Sequence, residues 1–385
     1  MKIRKIAYQL HLWLGLISGL IVFVVCLTGA IWALKLNGWV DNDELKTHKT
    51  NGQHVLLEPS WVIDHASKAF KGNIPNSINY TKDSSIGAYY RGKDGGYSLQ
   101  MNPFTRETLS IRGLDGKYLD FWEFIGAGHF SLWLPYNIGR PIVGYGTLVF
   151  AIVLLTGLVL WLPKSKKALK NSLRFNWKKE TGTQRKMYDL HNVFGFYTAF
   201  ILLIICLTGM VWGVEWWSNG LYKITSGGRE LPEWRMAQSD TTSVATSVKD
   251  VYAGIDSLFS SLVRSNPRAE AFMINLPDNA DKSSAIMITV FPEKKLYYNA
   301  DRYSFDKYTF KPIQVSHPYQ GRYQDKDFAD KLRRMNYDIH IGAIGGTAGR
   351  LLVFLSTILG MSLPLTGFYL FIKKKSKKKK SKIIK

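Results

Sequence analysis

Apolar and polar positions divide the chain into four long hydrophobic runs separated by two long mixed segments and one short basic connection. Residues 6–34, 141–163, 190–214 and 351–372 each contain no Asp, Glu, Lys or Arg over twenty-two or more positions. A hydrocarbon core about 30 Å thick is crossed by roughly 20 such residues in a helix. Four runs of this length predict four transmembrane helices rather than buried helices of a water-soluble domain. The first run has no small-residue cleavage site after it and three more follow, so it reads as a retained span.

The mixed segments change period. In the first, residues 59–70 have helical spacing, residues 85–91 and 95–101 alternate as strands, Asn102-Pro103 marks a turn, and 108–111 begins another strand. In the second, a helical stretch at 244–263 precedes candidate strands at 271–276, 284–291 and 295–299. Each segment reads as a small α+β domain.

Charge orients these pieces. Of the net +22, +20 lies in residues 1–5, the connection 164–186 and the tail 373–385. Cationic residues flanking spans favour the cytoplasmic side. Both termini are therefore expected inside, and the two mixed segments outside. The charge hugs membrane boundaries, which argues against nucleic-acid binding and leaves membrane lipid as a partner for the lysine tail. The expected order is: 1–35, first span; 36–127, first outer domain; 128–163, outer histidine segment and second span; 164–187, basic loop. It continues with 188–217, third span; 218–338, second outer domain; 339–372, outer histidine segment and fourth span; 373–385, basic tail.

Laid on itself at an offset of 180 residues, the chain matches without gaps. Leu10-His11 falls on Leu190-His191, Gly15 on Gly195, Cys26-Leu27-Thr28-Gly29 on Cys206-Leu207-Thr208-Gly209, and Trp32 on Trp212. Leu155-Thr156-Gly157 resembles Leu365-Thr366-Gly367. His129 precedes Gly139-Arg140 much as His340 precedes Gly349-Arg350. The unit of span, outer domain, span is used twice in one orientation, which predicts a parallel repeat. The two cysteines, Cys26 and Cys206, lie in spans and read as small apolar packing, with no disulfide framework.

Of eight histidines, the repeat selects four. His11 and His191 open the first and third spans; His129 and His340 precede the second and fourth. Gly15 and Gly19 follow His11 on one helical face, as Gly195 and Ala199 follow His191. Small residues at this spacing also serve close helix packing. A histidine above two missing side chains, however, leaves a trough for a flat porphyrin. Two neutral imidazoles on opposite faces of a haem iron suit electron transfer. Zinc prefers four tetrahedral ligands, and no Cys, Asp or Glu accompanies the cytoplasmic pair. The expectation is two non-covalent b-type haems, an inner one on His11/His191 and an outer one on His129/His340. Arg140 and Arg350 are candidates to pair with haem propionates, with lipid phosphate as the rival partner. His317 is a further candidate for an outer substrate site, while His48, His54 and His65 read as domain residues. From His11 to Gly29, eighteen residues of helix cover about 27 Å, so a haem near each face makes a two-step electron wire. No Gly-x-Gly-x-x-Gly follows a soluble strand, and the electron donor must come from elsewhere, a quinol or a cytoplasmic reductant.

These residues resemble the PepSY-associated transmembrane proteins, also called iron-regulated membrane proteins. The likeness is carried by Leu10-His11 with Gly15, Leu27-Thr28-Gly29, His129 with Gly139-Arg140, and Leu155-Thr156-Gly157 through Trp161-Leu162-Pro163-Lys164. It continues in Leu190-His191 with Gly195, His340-Ile341-Gly342 with Gly349-Arg350, and Leu365-Thr366-Gly367. Met101-Asn102-Pro103-Phe104-Thr105-Arg106-Glu107 is similar to the PepSY strand-and-turn motif, with Arg106 where glycine is usual. Asn299-Ala300-Asp301-Arg302-Tyr303-Ser304 is a more degenerate copy. The resemblance implies a four-span protein of the bacterial inner membrane with two extracytoplasmic PepSY-like domains. It further implies bis-histidine haem and reduction of a ferric siderophore or other ferric chelate on the outer side. Two other readings stay open: a membrane-anchored protein whose outer domains bind or regulate a protein partner, and a transporter of metal or chelate.

Overall fold

The computed structural model describes residues 2–40, 56–92, 95–114, 121–163, 165, 169, 172–242 and 248–383. His48, His54, parts of the basic connection and the start of the helix expected at 244 lie outside the described residues. Within them, four helices are long and apolar enough to cross a membrane: Lys2–Leu36, Tyr136–Trp161, Thr183–Gly213 and Ala343–Lys375. The chain divides into two compact units, one of helices (Met1–Val40, Phe121–Leu221, Ile339–Lys385) and one built on a sheet (Asp41–Asp120, Tyr222–Asp338).

In the helical unit, α1 (Lys2–Leu36), α4 (Tyr136–Trp161), α5 (Thr183–Gly213) and α9 (Gly346–Ile383) form a ring. Each of α1 and α5 packs against both α4 and α9, so α1 and α5 face one another across the middle. Val22, Cys26, Phe150, Leu154, Leu202, Cys206 and Leu363 fill the centre. The outward faces are the reverse of a water-soluble protein: Ile17 is 71 % and Leu20 74 % exposed. Surfaces of that kind need lipid against them. Proline sets one helix end, since Pro163 drives Leu162 to ψ 115 and stops α4.

A short helix, α3 (Phe121–Ser131), leads into α4, packing on α1 and α4. The tight reversal between them carries Leu132 and Trp133 at positive φ and brings the Ser131 carbonyl onto Gly139, where a Cβ would collide with it. The approach to α9 is built alike. Gly342 and Gly346 take positive φ, and Gly349 lies so close to the Gly342 carbonyl that a Cβ there would also collide. The two Gly-Arg pairs thus mark places where backbone meets backbone.

The sheet unit holds α2 (Pro59–Ala69), β1 (Ser77–Thr81), β2 (Ile86–Gly92), β3 (Gly95–Met101) and β4 (Thr108–Leu114) from the first mixed segment. From the second come α7 (Val248–Ser265), β5 (Ala271–Asn275), β6 (Ile286–Phe291), β7 (Asp301–Phe305) and most of α8 (Phe328–His340), after α6 (Glu215–Thr225), which crosses the unit boundary. The strands make one antiparallel sheet in the order β4-β3-β2-β1-β5-β6-β7. Two separate outer domains were expected; the structure joins them. β1 and β5, the first strands of the two segments, pair from Ser77↔Asn275 to Thr81↔Ala271. Val62, Ile63, Ala66 and Phe70 of α2 and its flank share a core with Val251, Ile255 and Phe259 of α7. Each segment alone would leave one strand edge unpaired and half a hydrophobic face uncovered, and joining removes both.

Two further expectations need correction. Residues 295–299 form a turn, with Lys295 at φ 61, and the strand is Asp301–Phe305, paired to β6. The first outer domain does not run to 127, because α3 belongs with the helical unit.

Candidate functional site

Four histidines, each supplied by a different helix, converge in the helical unit in two pairs. The His11 ring, on α1, and the His191 ring, on α5, have centres 6.0 Å apart and planes at 84°. They meet across the ring although their helices are diagonal. His129, on α3, and His340, at the end of α8, act on one another electrostatically.

What holds each imidazole is the same local device, used four times. His11 Nδ1 donates to the Val153 carbonyl at 3.0 Å, and a Cβ on Gly157 would touch the His11 Cε1 at 3.0 Å. His129 Nδ1 donates to the Val25 carbonyl at 3.0 Å, and a Cβ on Gly29 would meet its Cε1 at 2.8 Å. His340 Nδ1 reaches the Ile205 carbonyl at 3.1 Å and the Thr208 hydroxyl at 3.0 Å, with Gly209 against its Cε1 at 3.2 Å. His191 Nδ1 reaches the Thr366 hydroxyl at 2.9 Å and the Leu363 carbonyl, with Gly367 against its Cε1 at 3.3 Å.

Every cradle is a Leu-Thr-Gly triplet. In each, the threonine hydroxyl donates back to the carbonyl four residues earlier: Thr28 to Val24, Thr156 to Ile152, Thr208 to Ile204 and Thr366 to Ser362. The carbonyl three residues before the threonine then receives the imidazole, and the following glycine makes room for the ring edge. A carbonyl only accepts, so the histidine proton sits on Nδ1 and Nε2 keeps its lone pair. A fixed ring with a free Nε2 is the arrangement that metal-ligating histidines need.

The expected trough residues behave unequally. A Cβ on Gly15 would find one atom within 4 Å, Val153 Cγ1 at 3.8 Å, and on Gly195 one, Leu363 Cδ2 at 3.8 Å. Both positions have room beside the inner histidines. Gly19 is nearer a neighbour, Pro364 Cβ at 3.5 Å, and Ala199 is buried. Among the described residues no group of three or more His, Cys, Asp or Glu comes together to hold a metal ion. The described histidines of the helical unit instead form two pairs of imidazoles.

Arg140 donates from Nε to the Trp212 carbonyl at 3.2 Å, lies over the Phe130 and Tyr136 rings, and acts electrostatically on both His129 and His340. Arg350 donates from Nη1 to Asn37 Oδ1 at 2.9 Å. The other described histidines are differently placed. His65 stacks on Trp61 and bonds Thr108. His317 is buried in the sheet unit, 4.8 Å from the Trp234 ring and stacked on Tyr319. Burial, with Arg333 and Lys326 adding to it, pulls His317 down to about 4. Its Nδ1 accepts the Tyr319 N–H at 3.2 Å. That packing gives His317 a structural task rather than an open substrate site.

The triplets were visible in sequence only as markers of duplication. Their number, four, equals the number of repeat-matched histidines, and that equality was the signal for a partnership.

Four spans, a sheet unit and two imidazole pairs define a multi-pass membrane protein with paired half-buried histidines. Residues 8–374 match the family described as the PepSY-associated TM region. The chain belongs to that family. No curated protein matches it.

Proposed function

We propose that this protein is a dihaem electron carrier of the bacterial inner membrane that reduces a ferric siderophore, or another ferric chelate, on the periplasmic side. The observation that carries the reading is the fourfold cradle, which leaves four Nε2 lone pairs in two pairs. Two imidazoles that share an iron at about 2 Å each have ring centres about 6 Å apart, and the His11 and His191 rings are 6.0 Å apart. The residues present therefore fit a bis-histidine haem, held by His11/His191 at the inner position and by His129/His340 at the outer. Bound haem supplies one-electron chemistry at iron without a proton-coupled group of the protein.

The remaining roles belong to the chain itself. The cradles fix ring orientation, and Gly15 and Gly195 leave space on the inner histidines' helices. Arg140, beside the outer pair, is suited to a propionate carboxylate. Of the outer pair, His129 docks on α1 at Val25 and Gly29, about 27 Å along the helix from His11, and His340 docks on α5 at Ile205 and Gly209. Between the two levels lies an apolar packed core that includes Phe150, Leu154, Leu202 and the two cysteines. Apolar packing of that kind suits electron transfer better than passage of a metal or chelate. The parallel repeat accounts for the equal offsets between the matched sites. The basic segments favour cytoplasmic termini, so electrons would enter at the inner pair, from a quinol or cytoplasmic reductant, and leave outside. One-electron reduction releases iron because ferric chelates are held far more tightly than ferrous ones.

The test is haem per polypeptide in purified full-length protein made with ample haem, with a reduced-minus-oxidised absorption spectrum. About two haems with six-coordinate b-type bands are expected, and protein without haem overturns the reading.

A further inference from the structure

One buried polar atom in the helical unit has no use in the packing. Trp161 Nε1 is shielded from solvent and has no hydrogen-bond acceptor. A desolvated indole N–H without a partner costs free energy that folding does not recover. Trp161 lies one helical turn beyond Gly157, on the same face of α4, and Gly157 is the residue against His11. Side chains lean towards the N-terminus of their own helix. On α4 that carries the indole back from Trp161 towards the level of the inner histidines. There it stacks on Phe196 of α5 with ring centres 3.7 Å apart and planes at 12°.

A cation stands at the same end. Arg4 donates from Nη2 to the carbonyls of Leu160, at 2.7 Å, and Leu162, at 3.0 Å, the two neighbours of Trp161. Arg4 is also seven residues before His11, hence on the His11 face of α1. Both groups call for an anion that accepts hydrogen bonds, placed below the inner imidazoles and towards the basic end of the bundle. The outer pair has Arg140 in this role; the sequence repeat offers no inner counterpart to it.

Resting on the haem reading above, we propose that Trp161 Nε1 and Arg4 bind a carboxylate of the porphyrin held between His11 and His191. Trp161 donates the directed hydrogen bond and Arg4 supplies the charge. A neutral donor to a carboxylate adds one charge-assisted bond, so its loss is read as faster haem release.

The experiment uses the full chain in nanodiscs, loaded with haem or with haem dimethyl ester, and follows transfer to an excess of apomyoglobin. A His129→Ala background leaves the inner site alone to be read. Trp161→Phe keeps the stack on Phe196 and removes the donor. It is expected to speed haem release about 10-fold, in line with the loss of one hydrogen bond to a charged group. For the dimethyl ester, which has no carboxylate, release should be the same with and without the substitution. Arg4→Gln should show the same dependence on the ligand's carboxylates. Equal haem release from the parent and Trp161→Phe overturns the proposal while leaving the haem reading intact. So does equal acceleration of haem and ester, which would mean lost packing. A parent protein that takes up no haem overturns both.

Discussion

Histidines largely withdrawn from solvent occur in both units, half-buried in the helical unit and buried in the sheet unit, and they are held in opposite ways. In the helical unit His11, His129 and His340 donate from Nδ1 to a backbone carbonyl, and His191 donates to a threonine hydroxyl whose own proton is spent on Ser362. In the sheet unit His317 accepts at Nδ1 from the Tyr319 N–H. Carbonyl acceptors fix the proton on Nδ1 and leave Nε2 basic. An N–H donor does the reverse and leaves Nε2 protonated, unfit to ligate. The comparison shows that burial of a histidine says little about ligation. The partner of Nδ1 says a good deal.

The strongest way to break this comparison is to remove the rings. His11→Ala and His191→Ala are each expected to lower bound haem from about two to about one per chain, sparing the outer absorption bands. His317→Phe should leave about two. Haem quantified on monodisperse protein checks all three. Full loading after either cradle-held histidine is lost, or loss of haem on changing His317, would sink the distinction.

A finer cut leaves the histidines alone and crowds their cradles. A Cβ would meet the imidazole Cε1 at 2.8 Å from Gly29, 3.0 Å from Gly157, 3.2 Å from Gly209 and 3.3 Å from Gly367. Alanine at Gly29 should therefore displace His129 most, and alanine at Gly367 should displace His191 least. Overpacking of this kind costs about 1–3 kcal/mol. Haem affinity of the corresponding site is expected to fall in that order, by roughly 100-fold at Gly29 and several-fold at Gly367. A ranking unrelated to these distances would show that the rings are not held where the cradles put them.

Acid sharpens the contrast from the other side. His317 is held down to about 4, by burial first and then by Arg333 and Lys326, whereas in the unfolded chain it titrates near 6.5. Between those values the unfolded state binds more protons, so stability falls as pH drops from about 6.5 towards 4 and is level above that window. The loss is about 2 kcal/mol at pH 4.5. Hydrogen exchange over residues 315–323 in the full chain should quicken in this range, and His317→Phe should remove its contribution. Protection that does not change between pH 7 and pH 4.5 would contradict the buried neutral state.

How far the sequence foretells these features follows from how local their signals are. A span must be continuously apolar, and Tyr97, Leu99 and Met101 alternate with Ser98 and Gln100, so both were legible. β1, Ser77–Thr81, alternates too, with Ile78 and Tyr80 buried between more polar neighbours, but a run of five residues is too short to stand out. Its pairing with β5 joins residues nearly two hundred positions apart, which no local pattern encodes; the merged sheet was therefore missed. Helix α8 hid for a different reason, because apart from Ala329 its buried residues are the polar Arg334, Asn336 and Asp338. Arg334 is buried by donating to the carbonyls of Pro318, Ala300, Gln320 and Gly321, a solution visible only in three dimensions. The histidines were legible through the repeat, but their cradles were not. The bonds from His129 to Val25 and from His340 to Ile205 cross more than a hundred residues of chain.

The smallest predicted effect is the most diagnostic of the cradle itself. Thr208 and Thr366 both place a hydroxyl on a histidine Nδ1, at 3.0 and 2.9 Å. His340 also has the Ile205 carbonyl at 3.1 Å, and His191 has that of Leu363. Valine at either position keeps the shape, deletes one of two acceptors and frees the carbonyl four residues earlier from its extra bond. Each substitution should weaken haem at its own site by about 1 kcal/mol, a few-fold in affinity, with no change at the other site. Thr28→Val should do less, because no hydrogen bond ties its hydroxyl to His129, which leans on the Val25 carbonyl. Equal losses at Thr28, Thr208 and Thr366 would mean that the threonines act through helix geometry alone. Unequal losses, in the direction given, would mean that the hydroxyls help to set the imidazole proton on Nδ1.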